Sequence, residues 1–305
     1  MYGVVDIGSN SIRLVIYEVE GNQIRSILNK KYSAGLASYV LENGDLSEEG
    51  IQVAAKDLNN IQRILSRVQI EKLYVYATAS LRNISNSADV VNQLKEMTGM
   101  SIRILSGQEE AFFDYYATLQ ANLLSDTMIC DIGGGSTEVV LMKNQKVVVS
   151  DSLPVGSLNM YSLFVSNLIP TDKELEKIHK NVLQKLAGLY IPEKKIDVDT
   201  IIGIGGTCRG SLKLYKHLFG KPKDTSFDAK YLSKILKLQD KNPAKVREAI
   251  LKNCPERIHT ILPGIEVLNT VCEYYKIKKV VISTYGCREG FLYYNLKQEG
   301  VISER

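Results

Sequence analysis

Two stretches of this chain, far apart, repeat one pattern. VVDIGSNSIRLVI (4–16) and ICDIGGGSTEVVL (129–141) align without a gap. Each reads as an apolar strand, Asp-Ile-Gly, a turn of small residues ending in Ser, and a second strand. Asp6 corresponds to Asp131, Gly8 to Gly133 and Ser11 to Ser136. A strand–turn–strand unit that recurs after about half the chain predicts two similar halves. Facing each other, they would set two acidic strand ends and two small-residue turns across one interdomain cleft. The 305 residues suit two domains better than one core. The expected boundary lies near residue 123, giving domains 1–123 and 124–305.

The rest of the pattern is α/β. Two or three strands span 2–32, with a Glu-Gly-Asn turn around Gly21. Ser47 is placed to cap a helix to about Val68, whose Ile51, Ala54, Ala55, Leu58, Ile61 and Leu65 recur at helical spacing. Strands at 73–79 and 101–106 alternate with helices at 87–97 and 108–124. In the second half, a hairpin turning near Asn144 leads to helices at 157–166 and 172–189. A strand at 200–205 precedes a helix from Thr207, two more helical stretches precede Pro255, and one follows Pro263. A strand at 279–284 and a helix at 288–299 end the series. Such alternation predicts mostly parallel sheets covered by helices.

Composition sets limits. With 45% apolar and 24% charged residues the chain reads as globular, and no apolar run approaches the ~20 residues of a membrane span. The start MYGVVDIGSN enters a strand at once and shows no leader, so the expected location is the cytoplasm. Cys130, Cys208, Cys254, Cys272 and Cys287 include no CxxC pair, and His179, His217 and His259 share no ligand spacing, which argues against zinc or a disulfide framework. Lys plus Arg against Asp plus Glu is 11 to 14 in residues 1–123 and 27 to 20 afterwards. The basic second half suits a polyanion, although lysines on solvated helix faces would give the same excess. Neither a nucleic-acid nor a membrane partner is expected.

Backbone N–H groups can approach phosphates closely only in turns of small residues. Gly8-Ser9-Asn10-Ser11 and Gly133-Gly134-Gly135-Ser136 meet that demand. Neither is a GxxxxGK[ST] loop, and neither opens a helix as a dinucleotide fingerprint does. Alternatively, each is an ordinary hairpin turn, a reading that two copies after acidic strand ends make less attractive. Asp6 and Asp131 close buried strands, where a carboxylate is costly unless paired or bound to metal. Mg²⁺ held against phosphate takes one or two carboxylates, and Glu138 offers another. In SGQEEA (106–111), Ser106 and Glu109 spell a capping box, which leaves Glu110 free to reach the cleft and activate water. TASLRN (78–83) puts Arg82 at a strand end, suited either to bidentate phosphate binding or to a surface ion pair. In GIGGT (203–207), Gly205, Gly206 and Thr207 open a helix that could hold a second phosphate, with Arg209 assisting, or simply let helix and strand cross closely.

Taken together with ERIHTILPG (256–264) and REG (288–290), these motifs resemble the exopolyphosphatase/guanosine pentaphosphatase family. The resemblance runs to about Gly290 and keeps the family's order. It implies two ribonuclease-H-like domains, as in actin, sugar kinases and heat-shock ATPases, closing on a polyphosphate or nucleotide. It implies hydrolysis of a terminal phosphoryl group with release of orthophosphate, supported by Mg²⁺. By motif, Glu110 resembles the family's base, Asp131 and Glu138 its metal and catalytic acids, Asp6 its other cleft aspartate, and Arg82 its phosphate-binding arginine. A homodimer is also implied. Longer members continue into helical C-terminal domains whereas this sequence stops at Arg305, so short polyphosphates are the expected substrates. Guanosine pentaphosphate is the nearest alternative; a phosphotransferase and a non-catalytic polyphosphate or alarmone sensor are the readings from other classes.

Overall fold

The computed structural model describes residues 1–121, 126–144, 146–189 and 198–303. The boundary expected near residue 123 lies outside the described residues. The first half contains β1 (Tyr2–Ile7), β2 (Ile12–Glu20), β3 (Gln23–Tyr32), α1 (Glu48–Leu65), β4 (Lys72–Ala77), α2 (Ala79–Arg82), α3 (Ser87–Thr98), β5 (Arg103–Ile104) and α4 (Gly107–Gln120). The second half contains β6 (Thr127–Ile132), β7 (Thr137–Lys143), β8 (Lys146–Leu153), α5 (Ser157–Phe164), α6 (Asp172–Ala187), β9 (Thr200–Ile204) and α7 (Gly205–Leu218). It continues with β10 (Ser226–Asp228), α8 (Lys230–Lys241), α9 (Pro243–Asn253), α10 (Ile261–Tyr274), β11 (Lys279–Ile282) and α11 (Cys287–Gln298).

The repeat read from the sequence extends to topology. One sheet is ordered β3-β2-β1-β4-β5; the other contains β8-β7-β6-β9-β11, the same order, with β10 added at the edge. Both are ribonuclease-H-like. The sheets are mixed rather than mostly parallel: each repeated hairpin contributes two antiparallel pairings, and parallel pairing begins only where a helix intervenes.

Local chemistry accounts for most boundaries. The Ser47 side chain accepts from the Gly50 N–H at 3.2 Å, and α1 buries the predicted stripe from Ile51 to Ile61. Gly21, at φ 57°, makes the β2–β3 turn. Three boundaries differ from expectation. The strand foreseen over 101–106 pairs only through Arg103 and Ile104, because it lies at a sheet edge and yields at once to the Ser106 cap. TASLRN is not the tail of a strand but a single helical turn, α2. The helix placed after Pro263 starts at Ile261, since a proline in the first turn forfeits only an N–H that has no helical partner.

Helices α4 and α11 lie between the two sheets. Phe113 of α4 and Phe291, Leu292 and Leu296 of α11 share a core with Val4, Val15, Tyr17 and Tyr76 of the first sheet. Ala111, on α4, packs against Ile129, Val140 and Ile204 of the second sheet. The two helices can cross closely because residue 290 is glycine: a Cβ there would sit 1.8 Å from the Phe113 carbonyl oxygen. Gly290→Ala must therefore separate them, and overpacking of this kind costs ~1–3 kcal/mol. A lowered urea midpoint for the variant is the expected result; an unchanged midpoint would contradict this packing.

Candidate active site

A cleft of about 400 Å³ opens where the two repeated hairpins meet. Both turns have the same internal bond: the Gly8 N–H donates to the Ser11 carbonyl and the Gly133 N–H to the Ser136 carbonyl, each at 3.0 Å. The turns touch, since a Cβ on Gly134 would stand 3.1 Å from the Ser9 Cβ and one on Gly135 3.0 Å from the Ser9 Oγ. In the second turn the carbonyls are drawn away from the cleft. Gly133 accepts from the Ser157 N–H, Gly134 from Leu158 and Asn159, and Gly135 from the Asn159 side chain, at 2.9–3.0 Å. Oxygens that would repel an anion are thereby occupied at the start of α5, and the donor edge of the turn is left for the cavity.

Asp6 and Asp131 line this one cavity together with Gly8 to Ser11, Gly133 to Ser136, Glu110, Glu138, Gly205 and Gly206. Gly205 is required twice over: its φ is +80°, and a Cβ would lie 2.2 Å from the Asp131 Oδ1. Thr207 does not reach the cavity. It is buried against Gly264 of α10. Glu109 closes the capping box with Ser106, as its sequence position suggested. Arg82 is turned away from the cleft and forms an ion pair with Glu110, while its Nη1 also donates to the Leu105 carbonyl at 2.7 Å. It lines a second cavity, of about 300 Å³, instead.

The cleft has an acidic end and a basic one. Glu110 and Glu138 are 7% and 3% exposed. Burial, and then the charge of Glu138, raises Glu110 to about 9; burial and Asp131 raise Glu138 to about 7. Asp131 rises to about 6 through burial, against the pull of Arg209. Asp114, one helical turn beyond Glu110, is pushed far above the usual carboxylate range by burial and by Asp131. At the other end, Arg13, Arg209 and Arg257 face the same space. Burial and Arg288 lower Arg13 to about 10; burial and Arg209 lower Arg257. Lys31 is lowered by burial and Arg257. The carboxylates near these crowded cations, Asp6 at Arg13 and Glu256 at Arg257 and Lys31, do not offset burial and mutual repulsion, and a polyanion would add the missing negative charge.

Arg288, 15% exposed at its side chain, comes from α11 and donates to Asp6 at 3.0 Å, with Glu289 beside it. Sequence reasoning named neither Arg13, Arg257 nor Arg288 as site residues. A signal did exist for Arg13: it takes the place in the first repeat that Glu138 takes in the second, opposite Asp6 as Glu138 is opposite Asp131.

Residues 15–299 match the Ppx/GppA phosphatase family. The chain belongs to that family. A Haemophilus influenzae protein provisionally named an exopolyphosphatase is 23% identical over 95% of this chain and 89% of its own length. A guanosine-5'-triphosphate,3'-diphosphate pyrophosphatase of Photobacterium profundum is also 23% identical, over 96% of this chain, which spans only 59% of that longer relative. The crystal structure of the Aquifex aeolicus Ppx/GppA family member is 25% identical, with a TM-score of 0.77 and 98% of each chain covered. The chain is thus a phosphatase acting on phosphoanhydrides.

A buried carboxyl crowded by others, as Glu110 is, has a cost in the free protein. With its folded pKa raised, the group holds a proton that the unfolded chain would release, so stability falls as pH rises from about 4.5 towards about 9. Glu110→Gln is free of that loss. The variant should melt above the wild type at pH 8, with the gap closing towards pH 4.5. Equal melting curves at pH 8 would mean that Glu110 carries no such penalty.

Proposed function

We propose that this chain is an exopolyphosphatase, hydrolysing the terminal phosphoryl group of inorganic polyphosphate and releasing orthophosphate with Mg²⁺. One observation carries the reading: a single cleft has buried carboxylates at one end, arginines at the other, and two glycine turns between. A phosphate chain can lie along it with its negative charge on Arg13, Arg209 and Arg257 and its end beside Glu110.

Among the described residues no three His, Cys, Asp or Glu side chains form a ready-made metal cage. That fits Mg²⁺, which binds phosphate through one or two carboxylates and water. Burial raises Asp131, and burial together with Asp131 raises Glu138, so two carboxyls are held out of water where such an ion would favour their charged forms. Asp131 and Glu138, with Asp6 close by, would hold it, and when bound it would neutralise the phosphate oxygens.

The chain's own residues do the rest. Glu110 orients a water and takes its proton as the water oxygen bonds to the terminal phosphorus. The bridging P–O bond breaks, and its electrons leave with the shortened chain. Burial makes Glu110 a strong base for a carboxylate but also holds it protonated towards about pH 9 in the free protein; Arg82 pulls the other way, towards the ionised form that the step needs. The turn N–H groups hold the transferring phosphoryl in line.

Guanosine pentaphosphate is the second reading, favoured by the name of the longer Photobacterium relative. Free thiols at all five cysteines fit the reducing cytoplasm proposed as the location. Phosphate release from tripolyphosphate, long-chain polyphosphate and guanosine pentaphosphate, compared at equal concentration, tests the assignment: polyphosphate should be fastest. Glu110→Gln should lower that rate by roughly 10²–10⁴-fold, the usual worth of a positioned base, while binding polyphosphate as tightly as the wild type. Full activity in Glu110→Gln would remove it from the reaction.

A further inference from the structure

We propose that the second cavity is an exit through which cleaved orthophosphate leaves while the shortened substrate remains in the cleft. The proposal rests on the terminal hydrolysis proposed above, because it begins from where that reaction puts its product.

The released ion forms beside Glu110, among the buried carboxyls. The shortened chain lies between it and the half-buried Arg13, Arg209 and Arg257. Without another opening the ion waits for the chain to go. Another opening is in place. Ser136, at the end of the second glycine turn, lines both cavities. The partition beside it is thin and polar: the Arg82–Glu110 ion pair on one side, and on the other the Ser152 hydroxyl donating to Glu138 at 2.8 Å. Gly107 completes it, so close to β8 that a Cβ would stand 2.4 Å from the Ser152 Cβ. The ion pair and the hydroxyl bond are side-chain contacts, which rearrange without any strand or helix unpairing, while the Gly107 backbone stays in place.

Beyond the partition, the chemistry suits passage rather than capture of a phosphate. Arg82 supplies a cation, and Gly107 and Gln108 open the 14-residue helix α4, whose N-terminal end favours anions. Asp151 lines the same cavity and opposes retention. An ion entering would be drawn past the carboxylates by Arg82 and then let go, the balance that conduction needs. The position of Arg82 follows: it faces the outgoing product rather than the incoming chain.

Gln108 and Asn83 are exposed, line the second cavity from different elements and take no part in the proposed chemistry. Gln108→Trp and Asn83→Trp each plug it from the outside. Using whichever of tripolyphosphate and guanosine pentaphosphate turns over faster, acid-quenched flow measures cleavage and a fluorescent phosphate-binding sensor measures free orthophosphate. The expected result in at least one variant is first-turnover cleavage within about twofold of wild type, with free phosphate delayed at least fivefold and steady-state turnover reduced to match. Release in step with cleavage in both variants would overturn the exit, as would a parallel fall in cleavage itself. Absence of cleavage in the wild type would instead sink the hydrolytic reading, and the exit with it.

Discussion

Like charges held together out of water shape everything around the cleft. Glu110, Glu138, Asp131 and Asp114 are buried within one another's field, and Arg13, Arg209 and Arg257 crowd one another at the opposite end. Neither arrangement favours folding on its own account, since burial costs these groups more than the opposite charges near them, Arg82 at Glu110 and Asp6 at Arg13, return. A structure can hold such groups only if surrounding packing is rigid enough to prevent escape. Here that packing comes from two sheets and the helix pair wedged between them.

The duplicated hairpin explains how one fold produced two opposed ends. In both copies an aspartate closes the first strand and a small-residue turn follows, so the two turns can meet back to back with Ser9 against Gly134 and Gly135. The copies then diverge at one position of the second strand. Opposite Asp6 stands Arg13; opposite Asp131 stands Glu138. Opposite charges at equivalent places make the two halves of the cleft unlike: one copy of the hairpin presents an arginine to the cavity and the other a buried carboxyl.

Much of this was legible in the sequence because it is local. Asp6, Asp131, both turns, Glu110 and Glu138 each sit in a short run of residue types that fit poorly at a buried strand end or helix start unless they serve a ligand. Arg257 and Arg288 fall in ERIHTILPG and REG, runs that add to the family resemblance but whose residue types alone do not point to a ligand. Each reaches the cleft through tertiary packing, Arg257 by lying over Gly206 and Arg288 by riding on α11. An arginine followed by a helix looks the same in sequence whether it faces solvent or a buried aspartate. Arg82 shows the limit from the other side. It closes a helical turn rather than a strand, and the partner that holds it, Glu110, comes from a separate element. Strand β10 escaped notice because three residues carry too little period to distinguish from loop.

Helix α11 makes the cleft one object rather than two facing surfaces. It follows β11 of the second sheet, yet its Phe291 and Leu296 are buried with the first sheet and its Arg288 is bonded to Asp6 at the end of β1. Glu289 fixes the start of the same helix by accepting from the Gly286 N–H at 3.0 Å and also accepts from the Tyr17 hydroxyl of β2. Through Gly290 the helix lies directly on α4, which carries Glu110. Asp6, Arg288 and Glu110 are thus tied to one another through a single helix pair, α11 lying on α4.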